Sequence, residues 1–271
     1  MKEFMNIGLV GYGKMGQALE ALIKTSSIGN IQWIVDPKQA KAHYPQLSQA
    51  PLNEIDICFE FTCPQSASAN LSHLVENGIP TISGTTGCNL SKESLHQKAL
   101  DQEIGLVIAS NFSIGMNLFY LLTEQASQLF ASFKEYDVSG FEGHHREKLD
   151  SPSGTAKTLC EKIIRHSFIK KKAHFDRLEQ PQDDILHFSS LRCGHLVGQH
   201  HIYFDSLDDT ITLSHHAKER SSFAKGAILA AQCISNKKGL FSMEDILLIL
   251  MDRSINNENM ERNLHSTRHS L

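Results

Sequence analysis

Between residues 142 and 156 the chain reads EGHHREKLDSPSGTA, placing two adjacent histidines, a lysine and a proline-serine-glycine-threonine turn in one short run. Imidazole exchanges protons near neutral pH, with an unperturbed pKa of about 6.5. Ala156, Leu159, Cys160 and Ile163 then fall on one face of a helical pattern, for which Ser151 is the expected N-cap and Pro152 the first helical residue. The backbone N–H groups of Ser153, Gly154 and Thr155 would point out of that helix end, where a carboxylate is welcome. Gly154 costs helix stability but allows close approach. Imidazoles, an amine and a helix N-terminus in this order describe a place that handles protons and holds an anion. His144 and His145 cannot share one job, because neighbours in extended backbone face opposite ways.

A second constellation lies near the start of the chain. A short apolar strand, Ile7 to Val10, passes through Gly11-Tyr12-Gly13-Lys14-Met15-Gly16 into a helix with Met15, Ala18, Leu19 and Leu22 on one face. This is G-x-G-x-x-G in its strand-turn-helix setting, where glycines let the backbone approach a pyrophosphate seated on the helix N-terminus. The hexapeptide alone is weak, but IQWIVD places Asp36 twenty residues past Gly16, where a carboxylate meets a ribose 2′-hydroxyl. Lys38, two residues on, is either a solvated side chain or a partner for a 2′-phosphate, so NADH and NADPH both remain open.

These residues need elements to position them. Strand-like runs at 56–62, 80–87 and 105–112 alternate with helical stretches at 66–77 and 91–102, the pattern of an α/β, Rossmann-type doubly wound parallel sheet. Each run ends in small polar residues: Thr62, then Gly84-Thr85-Thr86-Gly87, then Ser110-Asn111. Ligands bind beyond the carboxyl ends of such strands. After Asn111 the pattern changes to a long amphipathic helix over 114–133, with Met116, Phe119, Leu122 and Ala126 on one side. YDVSGFEG then alternates as a strand and delivers Glu142 to Lys148. Runs at 185–192, 195–205 and 210–217 complete a second, α+β domain with a mixed or antiparallel sheet. Their histidines (187, 195, 200, 201, 215 and 216) are not expected to hold a metal, since alternation sends neighbours to opposite faces. A small-residue helix at 221–234 is suited to packing on the first domain, and ILLILM at 246–251 is the buried side of another helix. The expected organisation is a dinucleotide-binding domain over 1–112 with 218–251 returning to it, a substrate-binding and oligomerisation domain over 113–217, and a polar tail over 252–271.

The chain has 271 residues, 41% hydrophobic and 21% charged, with a net charge of −4, so it can bury a sizeable core and lacks the basic footprint of a nucleic-acid binder. No apolar run approaches the roughly 20 residues that span a bilayer. The N-terminus lacks a signal peptide's cleavage region, and six scattered cysteines suit reduced thiols, so the expected location is cytoplasmic.

On its motifs the chain resembles the 4-hydroxy-tetrahydrodipicolinate (dihydrodipicolinate) reductase family over roughly residues 5 to 250. EGHHREKLDSPSGTA matches that family's H-H-x-x-K-x-D-x-P-S-G-T-A signature at every fixed position. GYGKMG, GTTG at 84–87, ASNFSIGMN at 109–117, RCGHLVGQH at 192–200 and HHAKERSSFAKGA at 215–227 support it. The resemblance implies hydride transfer from NADH or NADPH to a cyclic, unsaturated dicarboxylate, giving tetrahydrodipicolinate in lysine and diaminopimelate biosynthesis. It makes His144 the acid-base histidine and Lys148 its partner proton donor. His145, Ser153, Gly154 and Thr155 would hold substrate carboxylate, and Lys148 beside the imidazole would favour its neutral form. Gly11, Tyr12, Gly13, Lys14, Met15, Gly16, Asp36, Gly84, Thr85, Thr86, Ala109, Ser110, Asn111 and Phe112 would line the nucleotide. Family members are usually homotetramers joined through the second domain's sheet. The short stretch between Asp36 and Asp56 and the polar tail depart from the family. Two other functions fit the same architecture: a sugar or amino-acid dehydrogenase, and a nicotinamide-sensing regulator without chemistry.

Overall fold

The computed structural model describes residues 4–85, 91–219 and 221–252. In chain order the elements are β1 (Met5–Val10), α1 (Lys14–Thr25), β2 (Gly29–Val35), β3 (Ile57–Glu60), α2 (Pro64–Glu76), β4 (Thr81–Ser83), α3 (Lys92–Asp101) and β5 (Gly105–Ile108). They continue as α4 (Ile114–Phe130), β6 (Asp137–His144), α5 (Gly154–His166), β7 (Lys172–His174), β8 (Ile185–Arg192), β9 (Gln199–Asp205), β10 (Thr210–His216), α6 (Ser221–Ile234) and β11 (Gly239–Phe241). A further helix covers 243–252. Thr86, and the polar tail from 253 on, lie outside the described residues. Among the described residues no helix is long and apolar enough to cross a membrane.

The described residues divide into two compact units, one running to Ile114 and resuming at Ser221, the other beginning at Gly115. In the first, six parallel strands lie in the order β11-β5-β4-β3-β1-β2. The inner strands β1, β3, β4 and β5 are buried on both faces, which is why they read as nearly unbroken apolar runs. On one face Leu19 and Ile23 of α1 and Ala227, Ala230 and Ala231 of α6 pack with Ile7, Leu9 and Ile82. On the other, Val75 of α2 and Leu95 and Ala99 of α3 pack with Leu106. The chain leaves β1 for β2 on one side and returns to β3 on the other. That reversal opens a crevice at the carboxyl ends of β1 and β3. No α-helix joins β2 to β3; two 3-10 turns, Leu47–Gln49 and Leu52–Glu54, fill the short stretch after Asp36.

The second unit carries a five-stranded sheet, order β10-β9-β6-β8-β7. It is mixed: β6 runs parallel to β8 and β8 to β7, while β9 is antiparallel to both β6 and β10. The short edge strand β7 has no counterpart in the sequence pattern. One face of the sheet is covered by α4 and α5, with Met116, Phe119, Leu159 and Ile163 packed on Phe188, Ile202 and Phe204. In the first unit, Ile246 and Leu247 of the 246–251 run are buried but Leu248 and Met251 are exposed, so the run is not one buried side; in the second unit two expectations need correction. Leu122 is 55% exposed rather than part of the inner face of α4, which is instead Met116, Phe119, Tyr120, Thr123 and Ser127. At 3.6 residues per turn that set centres the stripe between Leu122's direction and its opposite. The other is the start of α5, which lies two residues later than expected, at Gly154 with Ser153 as cap.

Candidate active site

Strand register assembles a cluster of titratable side chains around His144. Glu142 and His144 are two apart on β6 and so face the same side of the sheet. Across one ladder Glu142 stands opposite His200 of β9, and across the other opposite Ser190 of β8, with His144 opposite Arg192. Five side chains from three strands thus meet at one end of the sheet. Glu142 is completely buried, and His144 and His200 are nearly so.

A buried carboxylate needs compensation, and on Glu142 the hydrogen bonds fall on one oxygen. Its Oε1 accepts from the Ser153 N–H at 3.0 Å, the Ser190 hydroxyl at 2.8 Å and Arg192 Nη2 at 2.9 Å. Its Oε2 lies 3.0 Å from His144 Nδ1 and 3.7 Å from His200 Nε2. Burial raises the carboxyl pKa, but His144, Ser153 and Arg192 outweigh it and hold the group ionised, well below the ordinary carboxylate range. Burial, and then the neighbouring His144, push His200 down to about 3, against the opposing pull of Glu142. His200 is therefore a neutral imidazole, edge-on to His144 with ring centroids 5.3 Å apart.

The helix that follows is tied to this cluster. Its N-cap is Ser153, whose hydroxyl accepts from the Ala156 N–H at 3.1 Å, and its first residue is Gly154. Ser151 and Pro152, expected at the cap and first turn, form a cis peptide ahead of the helix. The Ser153 N–H, expected to point outward, is bound to Glu142. What the helix end presents is Gly154, which is exposed, and Thr155, whose side chain meets the Tyr120 hydroxyl. Lys148 pairs with Asp150 in its own loop, Nζ to Oδ1 at 2.7 Å. Arg192 Nη2 donates to the Asp150 carbonyl at 2.6 Å and pins that loop to β8. His145, half-buried, lines an open hollow of about 290 Å³ with Gly194, His195 and Val197.

In the other unit the glycine turn sits where β1 and β3 diverge. Gly11 has φ +93°, and a Cβ on it would come within 2.1 Å of the Phe61 carbonyl, so only glycine lets the two strand ends approach. Gly13 caps α1 with no side-chain hydrogen bond, leaving the first amides of the helix, from Lys14, Met15 and Gly16, for an anion. Tyr12 is turned inward instead: its ring is buried and its hydroxyl donates to Glu20, which Lys41 also binds. Asp36 Oδ2 accepts from the Tyr12 N–H and Oδ1 from the Lys38 N–H, both at 2.8 Å. Each oxygen retains a further lone pair for a hydroxyl donor. A cleft of about 410 Å³ opens here, lined by Gly11, Gly13, Asp36, Lys38 and Thr62.

Beyond β4, Gly84 is followed by Thr85, whose hydroxyl accepts from the Thr62 N–H at 2.8 Å. Beyond β5, Ala109 packs on the core, Ser110 is exposed and the Asn111 side chain accepts from the Ser113 N–H at 2.9 Å. Phe112 is buried against Phe61, ring centroids 5.7 Å apart.

Sequence reasoning assigned no role to Glu142, Ser190, Arg192 or His200. Alternation along β6 was a usable signal for Glu142, since it must share the side of His144. The other three come from strands whose register the sequence does not state. Alternation does separate His200 from His201, yet cross-strand pairing brings one polar atom each of Glu142, His144 and His200 within 4.8 Å of one another.

Comparison with known proteins agrees with this architecture. Residues 5–112 match the family model "Dihydrodipicolinate reductase, N-terminus", and residues 115–247 match "Dihydrodipicolinate reductase, C-terminus". The chain is 33% identical over 245 residues to the 4-hydroxy-tetrahydrodipicolinate reductase of Christiangramia forsetii, covering 90% of this chain and 98% of that one. It is 36% identical over 205 residues to the same enzyme of Pseudoalteromonas translucida, covering 73% and 76%. A solved dipicolinate-bound dihydrodipicolinate reductase from Paenisporosarcina sp. TG-14 superposes with a TM-score of 0.72 at 25% identity, over 88% of this chain and 97% of that one. An amine dehydrogenase from Mycobacterium smegmatis shares the fold alone, at 8% identity and a TM-score of 0.62 over 89% of this chain and 95% of that one. By sequence and by fold, the chain belongs to the dihydrodipicolinate reductase family of NAD(P)H-dependent oxidoreductases.

Proposed function

We propose that this protein reduces 4-hydroxy-tetrahydrodipicolinate, or the dihydrodipicolinate derived from it, to tetrahydrodipicolinate in lysine and diaminopimelate biosynthesis. The observation that carries this reading is the tie between Glu142 and Ser153, which fastens a helix N-terminus to the strand bearing His144. A dicarboxylate needs an anion cradle and a proton donor held in fixed relation, and one buried side chain supplies that relation. The dipicolinate bound by the solved relative supports a small cyclic dicarboxylate as ligand.

In this reading the Gly154 and Thr155 amides, with His145 and Lys148, bind substrate carboxylate; the hydroxyl of Ser153 completes the helix end as its cap. A reduced nicotinamide nucleotide, when bound, supplies the hydride. The Lys14, Met15 and Gly16 amides hold its pyrophosphate, Asp36 binds a ribose 2′-hydroxyl, and Lys38 faces a 2′-phosphate. Hydride arrival leaves an electron-rich ring atom, and His144, entering the step as the imidazolium, gives it the Nε2 proton and returns to the neutral Nδ1–H ring, with Lys148 as the second donor. The 4-hydroxyl group leaves as water to give dihydrodipicolinate, and hydride and proton together then saturate one of its ring double bonds.

The test is to mix the freshly generated dicarboxylate with the protein and follow oxidation of NADH and of NADPH. Turnover with either supports the reading, and a protein that oxidises neither overturns it. The same reading makes the enzyme a cytoplasmic homotetramer joined through the β8–β10 face of the second unit. Light scattering that returned one 30.3 kDa chain at micromolar concentration would exclude the tetramer.

A further inference from the structure

We infer that Glu142 is a positioning residue that sets the tautomer of His144, keeping the neutral imidazole's proton on Nδ1 and leaving Nε2 as the nitrogen that exchanges protons with substrate. The kinetic part of the inference rests on the proposed reductase activity; the tautomer itself rests on geometry.

The two oxygens of Glu142 do separate work. Oε1 is held by three donors from three places: the Ser153 amide, the Ser190 hydroxyl and the Arg192 guanidinium. That grip fixes the plane of the carboxylate and directs Oε2 at His144 Nδ1, 3.0 Å away. An ionised carboxylate oxygen only accepts, so the ring nitrogen facing it must carry hydrogen. His200, the other group near Oε2, stands farther off, at 3.7 Å. The ring N–H in this structure falls off the line to Oε2, leaving both atoms without an aligned hydrogen bond. Catalytic hydrogen bonds commonly tighten only when substrate binds.

The opposite edge of the ring is arranged as well. Nε2 faces Gly198, where a Cβ would come within 3.2 Å of it. The absent side chain keeps that nitrogen's edge clear. Glu142 therefore serves both halves of the site, one oxygen for the helix that holds the anion and one for the histidine that moves the proton.

Glu142→Gln separates these two jobs. The three donors to Oε1 require an acceptor, so the amide oxygen takes that place and the NH₂ group faces His144. An NH₂ donates, so Nδ1 must accept and the ring proton moves to Nε2. A merely structural glutamate would not reverse the tautomer. Nitrogen-15 spectra of the histidines at alkaline pH read it directly, with His144→Gln identifying the signal. The expected result is Nδ1–H in the wild type and Nε2–H in Glu142→Gln. With this, kcat falls about 10²-fold, as for lost acid-base catalysis, while KM for the dicarboxylate stays within about threefold because the helix anchor is retained. Glu142→Asp, which keeps the acceptor, recovers part of the lost kcat. Nε2–H in the wild type, an unchanged tautomer in the variant, or a variant kcat within about twofold of wild type would overturn the inference. If the variant does not fold, the wild-type spectrum alone decides. A wild type with Nδ1–H but no reductase activity would sink the function and leave the positioning role standing.

Discussion

The amide of Ser153 donates to Oε1 of Glu142 across 3.0 Å, joining the end of β6 to the start of α5. The same serine caps the helix with its hydroxyl, so its backbone and side chain both face inward. The consequence is a division of the first turn. Ser153 secures the helix, and the amides of Gly154 and Thr155 are what it offers to an anion. A carboxylate bound there would approach a buried, ionised glutamate, and Arg192 paired with that glutamate offsets the repulsion.

Ser153→Ala removes the cap hydroxyl but keeps the amide bond to Glu142. Loss of an N-cap costs about 1 kcal/mol. Denaturant titration should show a loss of that size, accompanied by a raised KM for the dicarboxylate as the first turn frays. No change in either quantity would show that the cap is redundant.

Substitutions in the signature should separate by role. His144→Gln lowers kcat by about 10²-fold or more, with a modest change in KM. Thr155→Val mainly raises KM, because the interaction it perturbs exists in the ground state. Lys148→Ala damages both, since it removes a charge that binds and a proton that reacts. Steady-state kinetics check all three, and a His144→Gln enzyme with near-normal kcat would mean that another group gives the proton.

Asp36→Ala should weaken NADH more than NADPH, because only NADH offers a 2′-hydroxyl for the carboxylate to accept from. The wild type is expected to use both cofactors. Fluorescence titration of each reduced nucleotide makes the comparison. Equal losses would assign Asp36 only to the turn it builds with the Tyr12 and Lys38 amides.

His200 makes the second unit acid-sensitive above the usual carboxylate range. Its pKa is about 3 in the folded chain, below the ordinary histidine value, so the unfolded chain binds the extra proton first. Its contribution to stability is complete above pH ~6.5 and declines as pH falls toward 3. Between pH 7 and pH 5 the loss is of order 2 kcal/mol, at 1.36 kcal/mol per pH unit. Unfolding free energies at the two values should differ less in His200→Asn than in the wild type. An identical pH slope in both would remove His200 as the cause.

Local chemistry made much of this protein legible from the chain alone. Glycines at 11, 13 and 16, an apolar run before them and Asp36 after them describe a strand, a turn and a helix whose geometry follows from backbone sterics within some thirty residues. Alternating strands and helices dictated a parallel sheet, and the 142–156 stretch supplied the residue types on which the proposed proton and anion chemistry rests. Where α5 begins was misplaced by two residues, because Ser151 and Ser153 are equal caps until something claims one of them. What claims Ser153 is Glu142, and what holds Glu142 comes from Ser190 and Arg192, which lie 48 and 50 residues away. Short-range periodicity tells which face a side chain takes, but strand register is decided by the packing of a whole sheet, so only the tertiary structure could bring Glu142, Ser190, Arg192 and His200 around His144.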